Sequence, residues 1–285
     1  MTSERATTEE VLRFDNVCLR FGDTPALDHL SFKMNAGETL VVFGAAGSGK
    51  TMMLKTALGL VKPDSGRIVL FGLDITPLRE QQLFDIRSKV GILFQEGGLF
   101  DSLTIAENVA YPLLNQRARR QRGGAPMDQA EVEERVREAL RFVELEQTLD
   151  KSPSELSGGM RRRVGIARAA VTRPPLVLYD SPTAGLDPIT ANTIIKLILK
   201  ERDSRNTATI MVTHRYQDGH LMANFRYNPD SGQIQPASRN GARGARVNTR
   251  FLVMQAGRLV FEGSEAELQA TRDSYISKFV KSAGS

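Results

Sequence analysis

Gly44-Ala45-Ala46-Gly47-Ser48-Gly49-Lys50-Thr51 follows the apolar run Thr39-Leu40-Val41-Val42-Phe43 and opens onto a helix-compatible stretch over 52–60. The spacing is G-x-x-x-x-G-K-[ST]. Small residues there let successive backbone N–H groups wrap a phosphate, and the helix that follows adds its positive end. A lysine at the place of Lys50 reaches the β- and γ-phosphates, and a hydroxyl at the place of Thr51 serves Mg²⁺. Set between a strand and a helix, the stretch predicts a nucleoside triphosphate site formed by residues 44–51 and Met52. A plain Gly-rich turn is disfavoured.

The chain has 285 residues, 41% hydrophobic and 25% charged, which suits one large domain or a core carrying subdomains. A formal charge of +5 allows contact with anionic membranes or nucleic acid but requires neither. Cys18 is the single cysteine, so an internal disulfide and a Cys-based zinc hook are excluded. Its neighbours Val17 and Leu19 suggest a strand position. The opening residues Met1-Thr2-Ser3-Glu4-Arg5 carry no signal-peptide core, and no apolar run approaches the ~18 residues a membrane span needs. The chain is expected in the cytosol, where a membrane role requires a partner.

Upstream of the phosphate loop, β-rich runs at 11–14, 17–21, 30–34 and 39–43 are separated by Asp-Asn, Gly-Asp and Ala-Gly turn signals, which predicts an antiparallel layer. Downstream, a turn at 62–66 precedes a strand at 67–71, a helix at 79–88 and a strand at 90–94. From there the pattern becomes helical. Thr104-Ile105-Ala106-Glu107 reads as a capping box, and 128–143 carries Val132, Val136, Ala139, Leu140 and Val143 at helical spacing. The basic stretch at 116–124 reads as a solvated helix end and loop.

Leu156-Ser157-Gly158-Gly159-Met160 then leads into another helical run. Ser157 suits an N-cap, and Gly158 and Gly159 let a phosphate approach the first helical amides. Leu176-Val177-Leu178-Tyr179-Asp180 is an apolar strand ending in a carboxylate, placed to hold Mg²⁺.

With these motifs in this order, the chain resembles the ATP-binding cassette (ABC) ATPases over nearly its whole length. The resemblance assigns 44–51 to Walker A, Gln95 to the Q-loop, 156–160 to the signature, 176–180 to Walker B, 184–187 to the D-loop and His214 to the switch histidine. It implies an α/β fold over 11–285, with a RecA-like core, an antiparallel β subdomain and an inserted helical subdomain at about 96–172. It implies ATP as ligand, Mg²⁺ held by Thr51, Gln95 and Asp180, and a head-to-tail dimer in which Ser157, Gly158 and Gly159 close over the other copy's ATP. Phe21 falls where the family stacks an aromatic on adenine; a core aromatic of the strand is the other reading. Residues 90–104 and 107–113, with Leu156-Ser157-Gly158-Gly159-Met160 and Asp187-Pro188-Ile189-Thr190, resemble the ATPase of MCE-type (Mla-like) lipid transporters. That resemblance implies a membrane permease and an MCE-type lipid-binding protein as partners, a peripheral place on the cytoplasmic side of the inner membrane, and no nucleic acid. Leu99, Phe100 and Leu103 would then line the groove for the permease's coupling helix, or else only pack the helical subdomain.

The chain departs from the family pattern in two places. After Asp180 the family usually has a glutamate, whereas this sequence reads Ser181-Pro182-Thr183. With catalysis resting on Gln95, Asp180, Ser181 and His214, loss of a general base puts ~10²–10⁴-fold of rate in question. The second departure is a stretch rich in Asn, Gly, Pro, Ser and Arg, expected as an inserted loop at about 219–250 with a short strand near 224–227. Its arginines 239, 243, 246 and 250 read as solvated. A cassette that binds ATP for assembly or regulation, and hydrolyses it poorly, is the alternative function. A DNA-repair cassette would need a long coiled coil after Gln95, and a translation factor would usually carry two cassettes; both are disfavoured.

Overall fold

The computed structural model describes residues 9–95, 97–115, 127–237 and 248–281. Residues 116–124 and Arg239, Arg243 and Arg246 lie outside them. The apolar runs become β3 (Thr39–Phe43), β7 (Leu176–Asp180) and β8 (Ala208–Val212), each buried at every residue. Strands buried on both faces pair parallel with helices outside. They form the centre of a six-stranded sheet, ordered β12-β11-β3-β8-β7-β6. Its other members are β6 (Val90–Leu93), β11 (Thr249–Gln255) and the antiparallel edge β12 (Arg258–Gly263).

Side chains alternate across this sheet, as the two-residue period of a strand requires. From β3, Leu40 and Val42 point into one core, and Val41 and Phe43 into the other. The first core lies under an antiparallel sheet of β2 (Thr24–Asn35), β1 (Glu10–Phe21), β4 (Ser65–Leu70) and β5 (Leu73–Asp74), with α1 (Lys50–Ala57) and α2 (Glu80–Arg87) beside it. The second core takes α3 (Ile105–Leu114), α4 (Gln129–Phe142), α5 (Gly158–Ala170) and α6 (Pro188–Arg205). The expected capping box starts α3: Thr104 Oγ1 accepts from the Glu107 N–H at 3.2 Å, and the Glu107 carboxylate accepts from the Thr104 N–H at 2.7 Å. Val132, Val136 and Leu140 form the buried stripe of α4. The three textures of the sequence are present as an ABC-type α/β fold.

The Asp15-Asn16 signal is not a turn. β1 runs through it as a single strand, and Asn16 takes a left-handed φ of 52° where the register slips between Phe14 and Val17. This is a bulge: Asn tolerates that φ, and the Asn16 N–H is held by Ser31 Oγ at 2.8 Å.

The loop expected at 219–250 is also corrected. α7 (Tyr216–Asn224) continues past Gly219, which is glycine for space, since a Cβ there would lie 2.9 Å from the rings of Phe251 and Phe43. An antiparallel hairpin follows, β9 (Phe225–Asn228) with β10 (Gln233–Pro236). Its anchor lies on α6. Buried Arg202 donates to the carbonyls of Met222 at 2.6 Å and Phe225 at 2.9 Å, while the Asp203 carboxylate accepts from the Tyr227 N–H at 2.7 Å. Arg250 is not solvated either. It lies in β11, paired with Glu38 and Glu262. Two further helices, α8 (Glu265–Ala270) and α9 (Ser274–Lys281), end the described chain.

Candidate nucleotide-binding site

The loop between β3 and α1 must turn the chain in a few residues. Gly49 enters α1 at φ 101°, where an added Cβ would strike the Ala26 carbonyl, and Gly47, at φ 76°, has open space where a Cβ would go. Only glycine takes these angles without strain. Lys50 Nζ donates to the carbonyls of Gly44 at 2.8 Å and Ala45 at 2.7 Å, and to Ser48 Oγ at 3.2 Å. Burial lowers the Lys50 pKa from its ordinary value, and the charge of Asp180 opposes that.

Asp180 ends β7, and both its oxygens are engaged. Thr51 Oγ1 donates to Oδ2 at 2.9 Å, and Ser181 Oγ donates to Oδ1 at 3.2 Å. A hydroxyl and a carboxylate in contact form the hard-oxygen pair that Mg²⁺ takes, so these residues fit the metal that the motif implies.

The loop forms one wall of a cleft of about 780 Å³. Residues 44–52 line it together with Gln95, Ser181, Ala184 and His214, with Phe21 at the end of β1, and with Thr24, Pro25 and Ala26 at the start of β2. Phe21 is 57% exposed, so it is not a core aromatic. Among the described residues lining the cleft, none has a carboxylate side chain. Ser181 sits at the usual glutamate's place with a φ of 51°, its N–H donating to the Val212 carbonyl at 2.9 Å.

Ser157, Gly158 and Gly159 are not brought to this cleft. Ser157 caps α5, its Oγ accepting from the Met160 N–H at 3.2 Å, and Ser157 and Gly158 are exposed. Gly159 is close to α6, where a Cβ would lie 2.6 Å from Thr190. On the antiparallel sheet, Cys18, Asp28 and His29 bring three ligand-type atoms within 4.8 Å. There Asp28 is engaged by Arg258 at 2.6 Å and His29 Nδ1 meets Asn16 Oδ1 at 2.8 Å.

Three residues around the cleft have no signal in the sequence pattern. Arg162 looks like part of a solvated basic run, yet it is buried and donates to the carbonyls of Gln95 and, at 3.0 Å, Ala184. It ties the loop after β6 to the loop after β7. Asp218 is buried on α7, where Oδ2 accepts from Thr183 Oγ1 at 2.5 Å and Thr213 Oγ1 at 2.8 Å, joining the loops after β7 and β8. Tyr275, on α9, accepts the Ala45 N–H at 3.0 Å.

The profile of the family described as "ABC transporter" matches residues 27–184. The methionine import ATP-binding protein MetN of Rhizobium etli is 38% identical over 213 residues, 75% of this chain and 56% of that protein. The probable ribonucleotide transport ATP-binding protein mkl of Mycobacterium leprae is 35% identical over 194 residues, 68% of this chain and 52% of that protein. The chain thus spans little more than half the length of the curated relatives it matches. Among solved structures, the dimeric post-hydrolysis state of the ATP-binding cassette MJ0796, bound to ADP and Pi, superposes with a TM-score of 0.73. It is 28% identical and covers 89% of this chain and 98% of that one.

Burial raises the Asp218 carboxyl above its ordinary range, against the two threonine hydroxyls. A carboxyl raised on folding gives its full stabilisation below the unfolded pKa and loses it as pH rises through the folded value. Asp218→Asn, which keeps an acceptor for both hydroxyls, is expected to flatten that pH slope and cost no more than about 1 kcal/mol near neutrality. Asp218→Ala strands both hydroxyls and is expected to cost about 2–4 kcal/mol. Urea denaturation of the three proteins across pH checks both values.

Proposed function

The chain belongs to the ABC transporter family, and we propose that within it this protein is the ATP-binding subunit that energises a membrane permease. One observation supports this above the rest: the phosphate loop, Gln95, Ser181 and His214 come from four strand ends and line one cleft, with Asp180 bonded to Thr51 of that loop. ATP is the ligand. Lys50 and amides of the 44–51 loop other than that of Ala45 would bind its phosphates, Phe21 would offer a face for the base, and Thr51, Asp180 and Gln95 would hold Mg²⁺. The metal, when bound, neutralises phosphate charge during transfer to water.

Ser157 is exposed at a helix start away from this cleft, as a residue serving a second copy would be. Two such copies, packed head to tail, would each set the positive end of α5 against the other's nucleotide. The MJ0796 cassette bound to ADP and Pi is dimeric, which supports the pairing of two copies. Ser157→Arg is therefore expected to abolish ATP-dependent dimers in light scattering while leaving ATP affinity nearly unchanged. Dimers of the variant at wild-type yield would overturn the head-to-tail arrangement.

Hydrolysis is slow in this proposal. Ser181 cannot take a proton from water at neutral pH, and its hydroxyl is already turned to Asp180. Gln95 and His214 orient water and meet the γ-phosphate, so electrostatic stabilisation persists without a strong base. Restoring the carboxylate with Ser181→Glu is expected to raise turnover roughly tenfold or more. No increase, measured on the isolated chain and on the complex with its permease, would show that the base comes from elsewhere.

The permease contact is a groove of about 480 Å³ lined by Phe84, Phe94, Phe100, Tyr111 and Arg168, among others. Phe84, Phe100 and Tyr111 are exposed aromatics, an apolar surface of the kind that marks a protein contact. Of the three residues expected there, Phe100 reaches the groove, while Leu99 packs on the core and Leu103 does not line it.

For the transported class, the likeness of residues 90–113 to MCE-type cassettes supports lipid, with an MCE-type protein in the complex. The names of the relatives, methionine import and probable ribonucleotide transport, support a second reading, transport of a small polar solute. Purifying the chain with its native permease and assaying ATPase stimulation by phospholipid vesicles against methionine and ribonucleotides separates the two. Stimulation by the solutes alone would reject lipid.

A further inference from the structure

The C-terminal helix pair returns to the nucleotide cleft. α8 is fixed to α7, the helix that follows His214: the Glu265 carboxylate accepts from Tyr216 Oη at 2.6 Å and Asn224 Nδ2 at 2.6 Å, and meets His220 Nδ1 at 2.8 Å. α9 starts on Asp273, whose Oδ1 accepts from the N–H groups of Tyr275 at 2.8 Å and Ile276 at 3.0 Å. Its apolar side then packs inward. Ile276 is buried, and Phe279 stacks on Phe43 at 6.0 Å, meets Tyr275 edge-on at 5.3 Å and lines the cleft.

Tyr275 is the residue of this pair that reaches the phosphate loop. Its hydroxyl accepts the Ala45 N–H at 3.0 Å and donates to the Met254 carbonyl at 2.9 Å, so it bridges the loop to β11. The Ala45 N–H and the Gly44 carbonyl belong to one peptide plane, and that carbonyl accepts from Lys50 Nζ at 2.8 Å. One rigid unit is therefore held at its N–H by Tyr275 and at its oxygen by Lys50. A rotation of this plane would move an acceptor of the lysine that the proposed function assigns to the phosphates.

We propose that Tyr275 is a positioning residue for nucleotide binding, fixing the Gly44–Ala45 peptide plane so that docking of α9 and binding of ATP favour one another. The proposal rests on residues 44–51 being the phosphate site. Binding to a loop already held in place avoids the cost of ordering it. Because coupling is reciprocal, ATP must hold α9 down by the same factor by which α9 tightens ATP.

The test uses the full chain in three forms: wild type, Tyr275→Phe and Lys50→Ala. Tyr275→Phe removes the hydroxyl and keeps the ring against Phe279. Calorimetry with Mg²⁺ and ATP is expected to show about three- to tenfold weaker binding, the worth of one hydrogen bond, with KM rising by the same factor and kcat changing less. In wild type, ATP should slow amide hydrogen exchange over 276–281, and in Tyr275→Phe that slowing should shrink. Exchange needs no variant to fold, so a poorly folding Tyr275→Phe leaves the wild-type arm decisive. Unchanged affinity, tighter ATP binding by Tyr275→Phe, or exchange of α9 indifferent to ATP would each overturn the proposal. Lys50→Ala separates the failures. If it too binds ATP normally, the phosphate site has been misplaced; if it alone loses ATP, only the role of Tyr275 fails.

Discussion

The hydrogen bond from Thr51 to Asp180, 2.9 Å long, joins the first turn of α1 to the end of β7. It requires that β3 and β7 run parallel with β8 between them, so that both release their chains at the same sheet edge. Ligands of open α/β sheets bind outside the carboxyl ends of the strands for this reason. Here that edge collects the phosphate loop after β3, Gln95 after β6, Ser181 after β7 and His214 after β8. The remaining architecture keeps these four loops in register.

Two buried side chains carry that task, and each acts on backbone or hydroxyl groups rather than on the cleft. Arg162 spans from Gln95 to Ala184, and Asp218 spans from Thr183 to Thr213. Buried polar groups cost free energy unless they are paired, so these contacts define the loop positions sharply. A movement of the loop after β6, which borders the aromatic groove around Phe100, would be felt at Ala184 through Arg162. That gives a short physical path from the proposed permease contact to the cleft.

Much of this was legible in the sequence because it depends on local pattern. The buried strands 39–43 and 176–180 are continuous apolar runs, the helix at 128–143 shows its stripe, and the phosphate loop has fixed spacing. What escaped depends on distant partners. The hairpin at 225–236 is held by Arg202 and Asp203, Gly219 is shaped by the rings of Phe43 and Phe251, and Arg250 is neutralised by Glu38 and Glu262. Composition makes such stretches look like loop. Asn16 reads as a turn for the same reason that it serves a bulge, its tolerance of positive φ. Ser157 was legible as a helix cap, while its distance from the cleft of its own chain appears only in three dimensions.

Thr51 and Asp180 are the proposed seat of Mg²⁺ beside the phosphates. The most direct test of this is the ATP affinity of wild type and Asp180→Asn, each measured with Mg²⁺ and with the metal chelated. The asparagine can still accept from Thr51, so the loop keeps its place while the charge is gone. Mg²⁺ is expected to tighten ATP binding by the wild type and to have little effect on the variant. An equal gain from Mg²⁺ in both proteins would contradict the account.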